Sequence, residues 1–171
     1  LKLLCPGPTN YAALPSESLH VTIKNHETAN FLRISAEEYI ESRLLSLCSG
    51  DDSSPLKRSV AYLKEKQYRP RARCVKIETE STVRILLHLE NDASDVIAKL
   101  VELGSRPEPG FAFHITLGYR FDLQRKDATE VQELAKKLEQ LFEEHLKDKV
   151  LTFEELQLNY FPSMTKFIPL H

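Results

Sequence analysis

The chain has no apolar run near the roughly 20 residues needed to span a bilayer, so no membrane-spanning segment is expected. It also has little net charge: 23 Lys and Arg against 25 Asp and Glu leave a formal −2. That near-balance gives no overall attraction to nucleic acid or to an anionic membrane, so any phosphate recognition has to be local. Cysteine is scarce. Cys5, Cys48 and Cys74 are far apart, odd in number and form no Cys-x-x-Cys pair, which argues against a disulfide framework and against a zinc site. A reducing compartment is expected, the cytoplasm or the nucleus. Low-complexity tracts and long internal repeats are lacking too. The start, Leu1-Lys2-Leu3-Leu4-Cys5-Pro6, carries no initiator Met and is too short for a signal peptide; it reads as a helix tail cut by Pro6, with a segment expected before it.

What is present is an ordinary globular composition, 42% hydrophobic and 28% charged over 171 residues. This length suits one domain over residues 1–171, or two small lobes sharing an interface. The periodicities predict an α+β protein. Leu19–Lys24 alternates as a strand. Ser35-Ala36-Glu37-Glu38 has capping-box spacing and opens a helix to about Cys48. Pro55 starts a helix to about Gln67. Arg73–Thr79 and Thr82–Leu89 form a hairpin. Asn91 or Asp92 caps a helix with Val96, Ile97, Leu100 and Val101 inward, ended by Gly104. Ala112–Tyr119 is a strand. The longest helix runs from Asp127 to about Lys147 with Val131, Leu134, Leu138, Leu141 and Phe142 inward. An extended stretch over Thr152–Phe161 leads to a polar turn and Phe167-Ile168-Pro169-Leu170.

Two stretches share one pattern: Leu19-His20-Val21-Thr22-Ile23 and Phe113-His114-Ile115-Thr116-Leu117. Strand side chains alternate faces, so in each stretch an imidazole stands beside a hydroxyl on one face while the apolar residues take the other. Imidazole has a reference pKa of about 6.5, suited to proton transfer near neutrality, and a Thr hydroxyl can donate to a phosphate oxygen without adding charge. Two such strands facing one cleft supply a base, an acid and two hydroxyls. That set suits in-line displacement at a phosphodiester without a metal or other cofactor. If both strands stay regular, Lys24 continues the face of His20 and Arg120 that of His114, one cation per strand, with Gly118 leaving room for substrate between Thr116 and Arg120. A bulge near Gly118 would reverse that last assignment.

His-x-Thr alone is a weak signal, because His26-Glu27-Thr28 is a third copy with a charged middle residue and no apolar flank. Two copies with matched flanks, one in each half, are harder to dismiss. His88 and His145 read as structural and solvated. The cluster from Lys64 to Arg73 could follow an RNA backbone, but helix-end cations are common. Tyr119 and Tyr160 are candidate substrate contacts, with core packing the commoner role for a residue such as Tyr160 or Phe161.

With these motifs the chain resembles the 2H phosphoesterase superfamily, which is defined by two His-x-Thr (or Ser) motifs. Leu14-Pro15-Ser16-Glu17-Ser18-Leu19-His20-Val21-Thr22, Phe113-His114-Ile115-Thr116-Leu117-Gly118-Tyr119 and the ending from Tyr160 to Leu170 resemble a subgroup of unassigned function; the resemblance covers roughly residues 11 to 170. It implies a bilobal fold, two mainly antiparallel sheets with outer helices around a central cleft. It also implies metal-independent chemistry on 2′,3′-cyclic phosphates or 2′–5′ linkages, with His20 and His114 as the catalytic pair and Thr22 and Thr116 as phosphate-binding hydroxyls. The expected partner is a nucleotide or an RNA end, and the expected state a monomer. Family members carry a strand and a helix before the first motif, where this chain has about eighteen residues. The first lobe is therefore expected to be truncated or built differently. The competing expectations are a catalytically idle nucleotide- or RNA-binding module using the same cleft, and an interaction domain without a ligand.

Overall fold

Apolar and polar residues alternate along the central strands, and the result is an α+β protein built on a curled antiparallel sheet. The computed structural model describes residues 11–23, 35–39, 41–42, 55–90, 93–104, 112–120, 129–154, 156–163 and 166–169. In chain order the elements are β1 (Tyr11–Ala13), a 3-10 turn (Ser16–Ser18), α1 (Ala36–Tyr39), α2 (Pro55–Lys66), β2 (Arg71–Glu78) and β3 (Thr82–Glu90). There follow α3 (Ala93–Glu102), β4 (His114–Arg120), α4 (Thr129–His145), β5 (Val150–Thr152), β6 (Asn159–Ser163) and β7 (Lys166–Pro169). The large sheet has five strands in the order β1-β4-β3-β2-β5, and β6 and β7 form a separate two-stranded sheet.

Burial follows the alternation. Ala72, Cys74 and Ile77 of β2 and Val83, Ile85 and Leu87 of β3 are buried, and Leu134, Leu138 and Phe142 of α4 close over them. Ile115 and Leu117 of β4, together with Phe113 and Val21, pack against the same cluster. The strand register lines up one apolar row across the sheet, Ile77 beside Ile85 beside Ile115 beside Val21. Burial pushes the Cys74 thiol up from its ordinary value, so this side chain behaves as a small apolar group. A second cluster joins Leu63 and Tyr68 to Ala93, Val96 and Leu100, seating α2 against α3.

Two bulges tune this pattern. Cys74 pairs with Leu87 but Lys76 with Leu86, so Val75 is the extra residue and stands 49% exposed. Val83 pairs with Gly118 but Arg84 with Thr116, which makes Leu117 the extra residue on β4. Each bulge reverses the faces of the residues beyond it.

The local signals act where they were read. The Ser35 hydroxyl accepts the Glu38 N–H at 3.1 Å, and Gly104 ends its helix at φ 113°, a conformation that favours glycine. Three readings are corrected. Leu19–Lys24 is not a continuous strand among its described residues, because the 3-10 turn offsets the chain and only Val21 bridges to β4; Leu19 is 40% exposed. Leu141 lies at the edge of the α4 stripe and is exposed rather than inward. The stretch from Thr152 to Phe161 is interrupted, with β5 on the large sheet and β6 pairing β7. Tyr11–Ala13 forms an edge strand of the large sheet. Asn91, Asp92, Asp127 and most of the helix expected after Ser35 lie outside the described residues. No described helix is long and apolar enough to cross a membrane.

The apolar row should dominate stability. Ile85→Ala should cost about 2–5 kcal/mol in urea denaturation with an unchanged m-value; a cost below about 1 kcal/mol would mean that the row is not a packed core.

Candidate active site

Both His-x-Thr segments meet on one face of the large sheet, and the meeting point is a single antiparallel bridge, Val21 to Ile115. Continued one residue each way, that register sets His20 opposite Thr116 and Thr22 opposite His114. Directly opposed residues share a face, with Cβ atoms about 4.5–5.5 Å apart. Each imidazole thus neighbours the other motif's hydroxyl across the strands. Val21 and Ile115 pack into the core beneath, which turns the four polar side chains to the opposite face. Thr116 is 7% exposed, while His20, Thr22 and His114 are half-buried.

The rings are held alike. His20 Nδ1 lies 2.8 Å from the Ser18 carbonyl oxygen, and His114 Nδ1 lies 2.7 Å from the Ala112 carbonyl oxygen, in both cases two residues back. A carbonyl only accepts, so Nδ1 carries the proton in each ring and the lone pair of the neutral imidazole falls on Nε2. The Ser18 carbonyl is itself fixed by the 3-10 turn: the Ser18 N–H and hydroxyl donate to the Pro15 carbonyl at 3.0 and 2.8 Å. Upstream, the Leu14 N–H donates to the Leu117 carbonyl at 2.9 Å, tying this segment to the edge of β4.

No family model, curated protein or solved structure matches this chain.

The remaining expectations fare unevenly. The bulge at Leu117 puts Gly118 on the core face beside Val83, and Arg120 follows it there. Arg120 is therefore not the cation that continues the His114 face, and Gly118 does not make room for a ligand on it. Tyr119, paired with Thr82, takes that face instead. Lys24 lies outside the described residues. Tyr160 sits half-buried on β6 opposite Ile168. From the paired strand β7, Phe167 brings its ring to 4.1 Å from that of His20, tilted by 49°. This contact had no periodic signal in the sequence. Arg71 and Arg73, from the basic cluster, are tied to Glu90 at 4.0 and 2.6 Å, which favours a structural role for them. His88 is exposed on β3 and His145 on α4. Among the described residues, no group of three or more His, Cys, Asp or Glu could hold a metal ion.

A second polar row was missed by sequence reading. Glu78 on β2 pairs with Arg84 on β3, and Arg84 pairs with Thr116 on β4. Arg84 Nε donates to Glu78 Oε2 at 2.7 Å, and Lys76 Nζ lies 3.8 Å from the same carboxylate. The Arg84 hydrogen bond holds the Glu78 carboxyl below its ordinary range, and the charges of Lys76 and His114 add to this. Two cations, Arg84 and Lys76, share this one carboxylate.

The clamp on the rings has a direct readout. Long-range proton–nitrogen spectra of the neutral imidazoles should show the Nδ1-protonated tautomer at both His20 and His114, and an Nε2-protonated form at either would contradict the arrangement.

Proposed function

We propose that the chain is a metal-independent phosphodiesterase of the 2H type, acting on a 2′,3′-cyclic phosphate or a 2′–5′ linkage in a nucleotide or RNA end. The observation that carries this reading is the Val21–Ile115 bridge, whose register interleaves the two His–Thr couples on one sheet face. The bilobal architecture belongs to the same reading, with the motifs meeting at the seam between lobes, and so does action as a monomer in the cytoplasm or nucleus.

The chemistry follows from the four side chains. One imidazole takes a proton through Nε2 from the attacking water or 2′-hydroxyl. The oxygen so activated forms the new bond to phosphorus in line with the bond that breaks. The second imidazole, entering protonated, delivers its Nε2 proton to the leaving oxygen. Thr22 and Thr116 donate hydrogen bonds to the non-bridging oxygens, where charge builds in the transition state. The matched carbonyl clamps support this division of labour, since both rings keep Nδ1–H engaged and use the same nitrogen for proton transfer.

His20→Ala and His114→Ala should each lower kcat on 2′,3′-cyclic AMP or 2′–5′ diadenylate by about 10²–10⁴-fold, with EDTA leaving the wild-type rate unchanged. Wild-type turnover in either variant would remove the paired-histidine mechanism. Nucleotide binding by the wild type with no product on long incubation would favour an idle binding module on the same face.

A further inference from the structure

We infer that Arg84 is the phosphate-gripping cation of this face, taking an anionic phosphate oxygen beside Thr116. The in-line reaction proposed above needs a cation near the phosphate; of the two candidates read from the sequence, Arg120 is turned to the core face by the bulge, and Lys24 lies outside the described residues. Among the described residues the register puts Arg84 on this face. It stands directly opposite Thr116 on the neighbouring strand, and Thr116 in turn stands opposite His20. The three side chains lie in one row across β3, β4 and the His20 segment.

Three further features fit a ligand-binding arginine rather than a surface ion pair. Its guanidinium is oriented, because Nε is committed to Glu78 Oε2 at 2.7 Å. Its side chain remains 37% exposed, and Glu78 is its one hydrogen-bond partner among the described residues, so the terminal nitrogens remain to form the two-pronged contact that guanidinium makes with phosphate. Finally, there is room. Arg84 and Lys76 line an open recess of about 320 Å³ at the tip of the β2–β3 hairpin, shared with Thr82 and with the carboxylates of Glu78, Glu80 and Glu139. Thr82 borders Tyr119, and Glu139 comes from α4 on the core side, so the recess lies round the hairpin tip between the two faces.

The inference rests on the phosphodiesterase reading for its chemistry but not for its binding, and the two can be separated. Inorganic phosphate and adenosine 2′-monophosphate are titrated calorimetrically into the wild type, Arg84→Ala, Arg84→Lys and Arg71→Ala at low ionic strength, with turnover of 2′,3′-cyclic AMP measured alongside. Arg84→Ala should weaken both probes by about tenfold or more and flatten the salt dependence, Arg84→Lys should restore part of the affinity, and Arg71→Ala should change it less than about twofold. If Arg84→Ala does not fold, Arg84→Gln makes the same charge deletion. Equal losses for Arg71→Ala and Arg84→Ala, or no loss for Arg84→Ala, overturn the role of Arg84 while leaving the histidine mechanism to its own variants. Failure of the wild type to bind either probe overturns it as well. Arg84-dependent binding with no turnover upholds the phosphate grip and removes the phosphodiesterase.

Discussion

One apolar row governs the molecule: Ile77, Ile85, Ile115 and Val21, side by side across four chain segments. Burying this row beneath Leu134, Leu138 and Phe142 forces the residues on either side of each member onto the opposite face, because strand side chains alternate. Above the row the neighbours are Glu78, Arg84, Thr116 and His20; below it they are Lys76, Leu86, His114 and Thr22. The hydrophobic effect thus does what no polar interaction here could do alone, aligning two imidazoles and two hydroxyls that come from opposite halves of the chain.

The electrostatics of that face are local. A chain of net charge −2 would repel a phosphate at long range, so any attraction has to come from single groups such as the Arg84 guanidinium, which shares Glu78 with Lys76 and stands opposite Thr116. The same pattern recurs further along β2, where Glu90 is shared by Arg71 and Arg73. Aromatic contact enters from the two-stranded sheet, which sets Phe167 against His20 and so links the end of the chain to the candidate site.

What the sequence discloses is the part with a short-range cause. The β2–β3 hairpin, the serine cap at Ser35 and the glycine stop at Gly104 depend on residues within a few positions of one another, and so does the pairing of imidazole with hydroxyl inside each motif. What it hides is set by register between distant segments. Nothing near Arg84 says that it will oppose Thr116, and nothing near Phe167 says that it will reach His20. Arg120 depends on register in the same way: its place on the His114 face holds only for a regular strand, and one inserted residue at Leu117 inverts everything after it. The carbonyl clamps at Ser18 and Ala112 were out of reach too, since they depend on backbone direction rather than on residue identity.

The most direct measurement follows both imidazoles at once. Inorganic phosphate is titrated into protein with nitrogen-15 in its histidine rings, the two signals being assigned from the single-histidine variants. Convergence of both couples on one anion predicts that the His20 and His114 rings shift together, with one dissociation constant and a stoichiometry of one. Shifts at only one ring, or at the two rings with separate constants, would contradict it.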